Sequence, residues 1–455
     1  MSAPLRETPL RDAALPLLLG ALLLTGTVRL AATSASESGA DFYQFWVVSK
    51  VLSEKHVTPP EALDTPESAR RLGALGATWA NGPSGTPQQQ RAAAWFRVLQ
   101  PAGTPFFYTT MRAFAALPYA AAQRAFFWLS LSAWLLALLW LARRCGCTWP
   151  FALALAAFVT LAFEPMASEV RAANVNRLLF AALVLALAFS DHARRARTLT
   201  RTRILQLAAG CWMGLLIAYK PVLGPIVATA WVLKVARKRF GECILEALGM
   251  TVGLGLGIAV GALAMDGFGA WTAWAHGWEA LIPRDAVSVD LGNYGPVALL
   301  ERLLGADAPV RPTLFTAAAL LVAVLFLRVA RSHSAVPVPP PSPQAASRTY
   351  ASLHQDALGL GFGFAVLCAT SGLVWLHYQL LALPAIVATA PTSQRPTPVP
   401  MRLLWLVALL CIALEPLRPL LGTSATSFAA LTVCGDAALA ALTFASLWRR
   451  IPASA

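Results

Sequence analysis

Residues 119–141 read YAAAQRAFFWLSLSAWLLALLWL, and no charged side chain occurs between Arg124 and Arg143. An α-helix needs about 20 mainly apolar residues to cross the hydrocarbon of a bilayer. This stretch therefore reads as a membrane span, closed by Arg143-Arg144. The same criterion picks out about twelve segments along the chain, near residues 13–33, 119–141, 149–165, 177–190, 204–220, 221–236, 243–265, 311–328, 357–375, 377–391, 402–417 and 427–447. Those at 177–190, 221–236 and 377–391 are short, so tilt, bilayer thinning or incomplete spanning is expected there. The fold class predicted is all-α: a polytopic integral membrane protein of about 12 transmembrane helices.

Composition agrees. Of 455 residues, 57% are hydrophobic and 13% charged, with a mean hydropathy of +0.60. A soluble protein is about 45–50% apolar and about 25% charged, and one of this length would form about three domains whose surfaces these residues are too apolar to cover. The net charge of +14 would suggest nucleic acid in a soluble chain. With the N-terminus inside, however, Arg6 and Arg11, Arg143-Arg144, the run Arg194 to Arg203, Lys234 to Arg239, Arg328 to Arg348, Arg395 with Arg402, and Arg449-Arg450 all face the cytoplasm, as the positive-inside rule requires. These are 20 of the 36 Lys and Arg residues. Only Glu7, Asp12, Asp191, Glu242, Glu246 and Asp356 accompany them, and elsewhere acids and bases cancel. Topology thus accounts for the whole +14, and the partners it implies are membrane lipids, with no nucleic acid.

Arg6 and Arg11 before the first apolar run would also suit a signal peptide; an uncleaved first helix is expected, because an informative motif follows it directly. Of the seven cysteines only Cys145 and Cys147 are closely spaced, so neither a disulfide framework nor a zinc site is expected. Two outer connections are large, residues 34–118 and 266–310. They include aromatic-rich amphipathic stretches, Phe42 to Leu52 and Trp271 to Leu281, suited to lying in the membrane interface. A cytoplasmic linker is expected over 329–354, and within it residues 334–347, with Pro337, Pro339, Pro340, Pro341 and Pro343, cannot be helical. No internal repeat is present, so the pseudo-symmetry of many secondary transporters is missing.

Candidate chemistry gathers at the outer ends of the spans. Asp41, in Ala40-Asp41-Phe42-Tyr43-Gln44-Phe45-Trp46, is an isolated carboxylate beside aromatic rings; partial desolvation would raise its pKa toward that of a general base, while Asp before an amphipathic stretch would also serve as a helix N-cap. Thr104-Pro105-Phe106-Phe107-Tyr108 and Leu117-Pro118 precede the second span. Arg171, Asn174 and Asn176, in Val170-Arg171-Ala172-Ala173-Asn174-Val175-Asn176, could hold phosphate and sugar hydroxyls, or Arg171 could be an interfacial anchor. Lys220, in Tyr219-Lys220-Pro221, interrupts a long apolar stretch. An intramembrane cation is a functional candidate by default, although it could instead snorkel at a break between two short helices. Trp375 and His377, in Ser371-Gly372-Leu373-Val374-Trp375-Leu376-His377-Tyr378, stand at the outer end of the ninth span. Glu164 and Asp436 are further intramembrane acids, and no partner for Asp436 is evident.

Taken in order, these pieces resemble glycosyltransferase family 87: an Asp-Phe pair after the first span, an aromatic-proline region before the second, and Gly-Gln-Val-Asn-like, Ile-Lys-Pro-like and Ser-Pro-x-x-Trp-x-His-like motifs. The similarity runs over roughly residues 13 to 395. It implies a GT-C-like transmembrane catalytic region over 1–395, with residues 396–455 forming a C-terminal helix pair. It also implies an active site on the periplasmic side of a bacterial cytoplasmic membrane, a polyprenyl-phosphate-linked sugar donor of mannosyltransferase type, and a lipid or glycan acceptor. By the resemblance Asp41 is the catalytic base, Lys220 faces the donor phosphate, His377 and Trp375 line the site, and Asn174 and Asn176 stand at the Gln and Asn of the family motif. Ala173-Asn174 in place of Gly-Gln, and Gly372 in place of proline, depart from it. No Asp-x-Asp pair is available to bind a metal, so a metal-independent, inverting transfer without cofactor is expected. The alternatives are a transporter or flippase for a lipid-linked precursor, whose charges would line a central path, and a scaffold without catalysis.

Overall fold

The structure, a computed structural model, describes residues 9–54, 66–97, 103–281, 288–305, 308–334, 345–392, 397–413 and 424–448. Regular structure among them is helical: α1 (Pro9–Ser36), α2 (Ala40–Ser53), α3 (Pro66–Asn81), α4 (Pro87–Trp95), α5 (Pro105–Ala115), α6 (Tyr119–Arg144), α7 (Trp149–Ala162), α8 (Glu164–Ala172), α9 (Asn176–Arg195), α10 (Leu199–Tyr219), α11 (Gly224–Ala236), α12 (Phe240–Ala264), α13 (Gly269–Leu281), α14 (Pro296–Leu304), α15 (Val310–Ser334), α16 (Ala345–Thr370), α17 (Leu383–Thr389), α18 (Val399–Ala413) and α19 (Ala425–Trp448), with a 3-10 helix at Leu376–Ala382.

Seven helices among the described residues are long and apolar enough to cross a membrane: Ala14–Ser36 of α1, then α6, α9, α10, α12, Val310–Arg331 of α15, and α19. The pair α7 and α8 would add an eighth as one span bent by 59°. The bend lies where Phe163 leaves the helix and Pro165 follows, since proline cannot donate to the preceding turn. Of the three segments expected to be short, two are so, at Pro221–Ala236 and Leu376–Thr389, and Val399–Ala413 joins them; the third, at 177–190, is instead part of a helix long enough to span, Asn176–Arg195. The two aromatic-rich stretches expected at the interface are helical, as α2 and α13, and α2 is packed inside the protein with Phe42, Tyr43, Trp46 and Val47 buried. Around the proline-rich linker, α15 runs to Ser334 and α16 begins at Ala345, so helix extends into the expected linker from both sides. Its prolines lie outside the described residues.

The bundle has two chemically different ends. At one, Asp356 of α16 is buried among Arg194 of α9 at 2.9 Å, Arg239 at 2.9 Å, Arg237 at 3.5 Å and Lys234 of α11 at 4.0 Å. Lys234 also meets Glu246 of α12 at 2.8 Å, and Arg144 of α6 pairs with Asp191 of α9. Helices α6, α9, α11, α12 and α16 are thus tied together at their basic end. They reach the opposite end with Tyr119, Asn176, Gly224, Ala264 and Thr370.

Between the ends, α10 and α12 pack backbone to backbone. A Cβ on Gly253 would lie 1.9 Å from the Cys211 carbonyl oxygen, and one on Gly214 would lie 2.1 Å from that of Met250. Glycines at every fourth position of α12, Gly249, Gly253 and Gly257, permit this approach, as small residues do where helices associate in lipid. Helix α10 ends at Tyr219, two residues before Pro221, and Lys220 follows at that point. The core around Phe42, Tyr43, Trp134, Phe126 and Phe180 is fully buried and holds α2 against α6 and its neighbours.

Candidate active site

Asp41 is placed by a glycine. Gly39 caps α2 in the left-handed region, φ 61 and ψ 51, where a side chain is strained. A Cβ there would also come within 2.6 Å of the Gln123 side-chain nitrogen. The Tyr119 hydroxyl donates to the Gly39 carbonyl at 3.2 Å. Helix α2 therefore starts at Ala40 and Asp41 falls in its first turn, which overturns the N-cap alternative: the cap is Gly39, and no side chain caps this helix. The Asp41 carboxylate is left to point elsewhere, at a helix end whose dipole favours an anion.

It points at Asn174. The Asn174 Nδ2 donates to Asp41 Oδ2 at 2.6 Å and lies 3.3 Å from His377 Nε2. Its Oδ1 accepts from the Val175 amide at 2.6 Å, from Asn176 Nδ2 at 3.4 Å and from Lys220 Nζ at 3.4 Å. With three donors on the oxygen, the carboxamide is oriented, and its two N–H groups are directed at Asp41 and His377. His377 Nε2 is then an acceptor, which leaves the ring proton on Nδ1. Asn174 follows Ala173, a non-glycine residue at φ 51 and ψ 48 that ends α8. The left-handed turn explains why a glycine suits this place in the motif.

Lys220 sits in the break after α10, with extended backbone (φ −144, ψ 94), before the 3-10 turn Pro221–Leu223. The Thr104 hydroxyl donates to the Ala218 carbonyl at 2.8 Å while accepting from the Phe107 amide at 3.0 Å. One threonine thus joins the start of α5 to the end of α10. The Lys220 ammonium lies 4.8 Å from the Tyr378 ring centroid. The segment bearing Trp375 and His377 is fixed by Asn293, whose side chain donates to the Gly372 carbonyl at 2.8 Å and accepts from the Val374 amide at 2.8 Å. Trp375 forms an isolated antiparallel bridge with Asn293. Burial pushes the Asp41 carboxyl above the ordinary carboxylate range, against the opposing pull of the Asn174 hydrogen bond and the Lys220 charge.

Of the sequence candidates, Asp41, Asn174, Asn176, Lys220 and His377 thus come together, and Trp375 is two residues along the chain from His377. Arg171 is not drawn into the group: it pairs with Glu164 and is about 40% exposed. Two residues that sequence reasoning passed over lie behind it. Glu169 and Arg177 are fully buried and form an ion pair at 3.9 Å. Their signal was a run with two acids and two bases, Glu164, Glu169, Arg171 and Arg177, between apolar spans, where charges must pair. Asp436 does have a partner, contrary to expectation, because Gln379 Nε2 donates to it at 2.8 Å. Among the described residues no group of three or more His, Cys, Asp and Glu side chains is arranged to hold a metal ion.

Compared with known proteins, the chain matches the model of glycosyltransferase family 87 over residues 103–339, just over half its length. The chain belongs to glycosyltransferase family 87. It is therefore a multi-pass membrane glycosyltransferase, and the transporter and scaffold alternatives are not favoured. Asn174, Asn176 and Lys220 lie inside the family 87 match, and the fold brings Asp41 and His377 to them from outside it. No curated protein and no solved structure matched the chain.

Proposed function

We propose that this family 87 enzyme moves a sugar, mannose or a related hexose or pentose, from a polyprenyl-phosphate donor to a lipid or glycan acceptor. The site lies at the outer face of a bacterial cytoplasmic membrane, within a bundle of about twelve spans. The observation that carries the reading is the convergence of Asp41, Lys220 and His377 on the single carboxamide of Asn174.

Such a transfer needs a base for the acceptor and a cation for the leaving group. Asp41 takes the proton of an acceptor hydroxyl as that oxygen attacks the anomeric carbon. The bond from that carbon to the phosphate oxygen breaks, its electron pair goes to the phosphate, and polyprenyl phosphate leaves. Lys220 stabilises the charge that develops there. One displacement inverts the anomeric centre. The ammonium fills the electrostatic role that the developing phosphate charge requires. Asn174 holds the base and contacts sugar hydroxyls, Asn176 braces Asn174 from behind, His377 and Trp375 line the sugar, and Arg171, paired with Glu164, is an outer contact for the donor headgroup. The opposite end of the bundle, where Arg194, Lys234, Arg237 and Arg239 gather, faces the cytoplasm by the positive-inside rule, which supports an outward site.

The test is turnover by the purified wild-type protein with a panel of polyprenyl-phosphate sugars and a lipid acceptor. Release of polyprenyl phosphate together with a glycosylated product supports the reading, and no transfer from any donor of the panel overturns it.

A further inference from the structure

Glu169 stands behind the hydrogen bonds described so far and touches none of the proposed reacting groups. Its backbone carbonyl accepts from the Asn174 amide at 3.2 Å, closing the turn that Ala173 makes. Its side chain divides between two donors: Oε1 accepts from the Arg177 amide at 3.2 Å, and Oε2 accepts from Asn176 Nδ2 at 3.1 Å. The first contact caps α9, whose own N-cap residue Val175 supplies no side-chain bond. The second directs the Asn176 carboxamide, whose nitrogen also reaches Asn174 Oδ1. Arg177 neutralises the carboxylate from 3.9 Å. Among the described residues its guanidinium has no hydrogen-bond partner, and it lies 5.3 Å from the centre of the Phe127 ring.

A buried charge pair with an arginine so poorly hydrogen-bonded is costly, and an apolar pair would fill the same space. What the carboxylate supplies that an apolar side chain cannot is orientation, since it is an acceptor on both sides and fixes which way two successive donors point. We propose that Glu169 is a positioning residue for the transfer. Through Asn176 it sets the rotamer of Asn174, and through Asn174 it aims the Asp41 carboxylate and selects the tautomer of His377. This inference rests on the transferase reading for its kinetic part only.

Two variants test it. Glu169→Gln places an amide N–H against one of two donors but leaves Arg177 without its counter-charge. Asn176→Ala cuts the same chain while leaving the ion pair intact, so a folding defect in the first does not remove the test. Both are expected to lower kcat by roughly 100-fold, the scale of a misplaced reacting group, with little change in KM for the donor. In an Asn174→Ala background, Asn176→Ala should add almost nothing, because the two act in series. Wild-type kcat in Asn176→Ala, or effects that multiply in full in the double variant, would overturn the proposal.

The second readout needs no turnover. Protein labelled with 15N-histidine, with His377 assigned among the six histidines by difference from His377→Gln, should show a single Nδ1–H tautomer in the wild type and a mixture in Asn176→Ala. An unchanged tautomer would overturn the proposal even if the transfer assay found no donor, which is the outcome that sinks the transferase reading alone.

Discussion

The Asn174 carboxamide donates to the Asp41 carboxylate across 2.6 Å, joining residues 133 positions apart in the chain. One lies in the first turn of a helix that follows the first span, the other in a left-handed turn inside the family match. Their meeting depends on Gly39 and Ala173, the two backbone positions with positive φ that start α2 and end α8. Sequence neighbours of each residue are thus part of the site because they set its direction.

Asp41 must be ionised to accept a proton, so transfer should fall as pH drops through its pKa. Burial raises that pKa, and the acidic limb of the kcat profile should lie above the free-aspartate value of about 3.9. Asn174→Ala removes a bond that favours the ionised form, so it should move the limb to still higher pH. Rates measured from pH 4 to pH 9 in both proteins check the sign, and a shift to lower pH would contradict it.

Lys220→Met removes the cation assigned to the leaving phosphate. By analogy with deletion of one group that stabilises developing charge, kcat should fall about 100- to 1,000-fold, while Lys220→Arg should restore part of it. Steady-state kinetics with the same donor provide the measurement.

Ala173→Gly should stabilise the protein. A left-handed L-residue costs roughly 1–2 kcal/mol, partly offset by the greater freedom of glycine in the unfolded chain, so a net gain of about 1 kcal/mol is expected. A rise in the unfolding midpoint in detergent, with the transfer rate retained, is the expected result.

Asp356→Ala should damage the fold while leaving the site's own contacts in place. Four cationic groups surround that carboxylate within 4.0 Å, and removing it leaves the four to share Glu242 and Glu246. Breaking such a pair costs about 3–5 kcal/mol. Unfolding in detergent should show it as a large drop in midpoint.

Much of this architecture was legible in the sequence because hydropathy along a span is a local property. Tyr119 to Arg144 needs no tertiary information to be recognised, and the basic residues at its end give the orientation expected from the positive-inside rule. The short helices at Pro221–Ala236 and Leu376–Thr389 were readable for the same reason, from the length of their apolar runs. The site was legible only as separate fragments. Whether Asp41 would cap its helix or face the bundle was settled by the conformation of Gly39, which no periodicity reports. Glu169 and Arg177 are eight residues apart on two helices, so helical spacing does not pair them; only the turn at Ala173 does. Asp436 looked isolated because its partner, Gln379, is 57 residues away. Arg171 carries a charge at a plausible place, but its near neighbour Glu164 claims it.

The most direct test compares wild type with Asp41→Asn in a single-turnover assay with the donor that the wild-type enzyme uses, at saturating acceptor. Asparagine keeps the size of the side chain and removes its basicity. Donor binding should stay close to wild type and sugar transfer should fall by about 100- to 10,000-fold, the range assigned to general acid–base catalysis. Equal transfer by both proteins would contradict it.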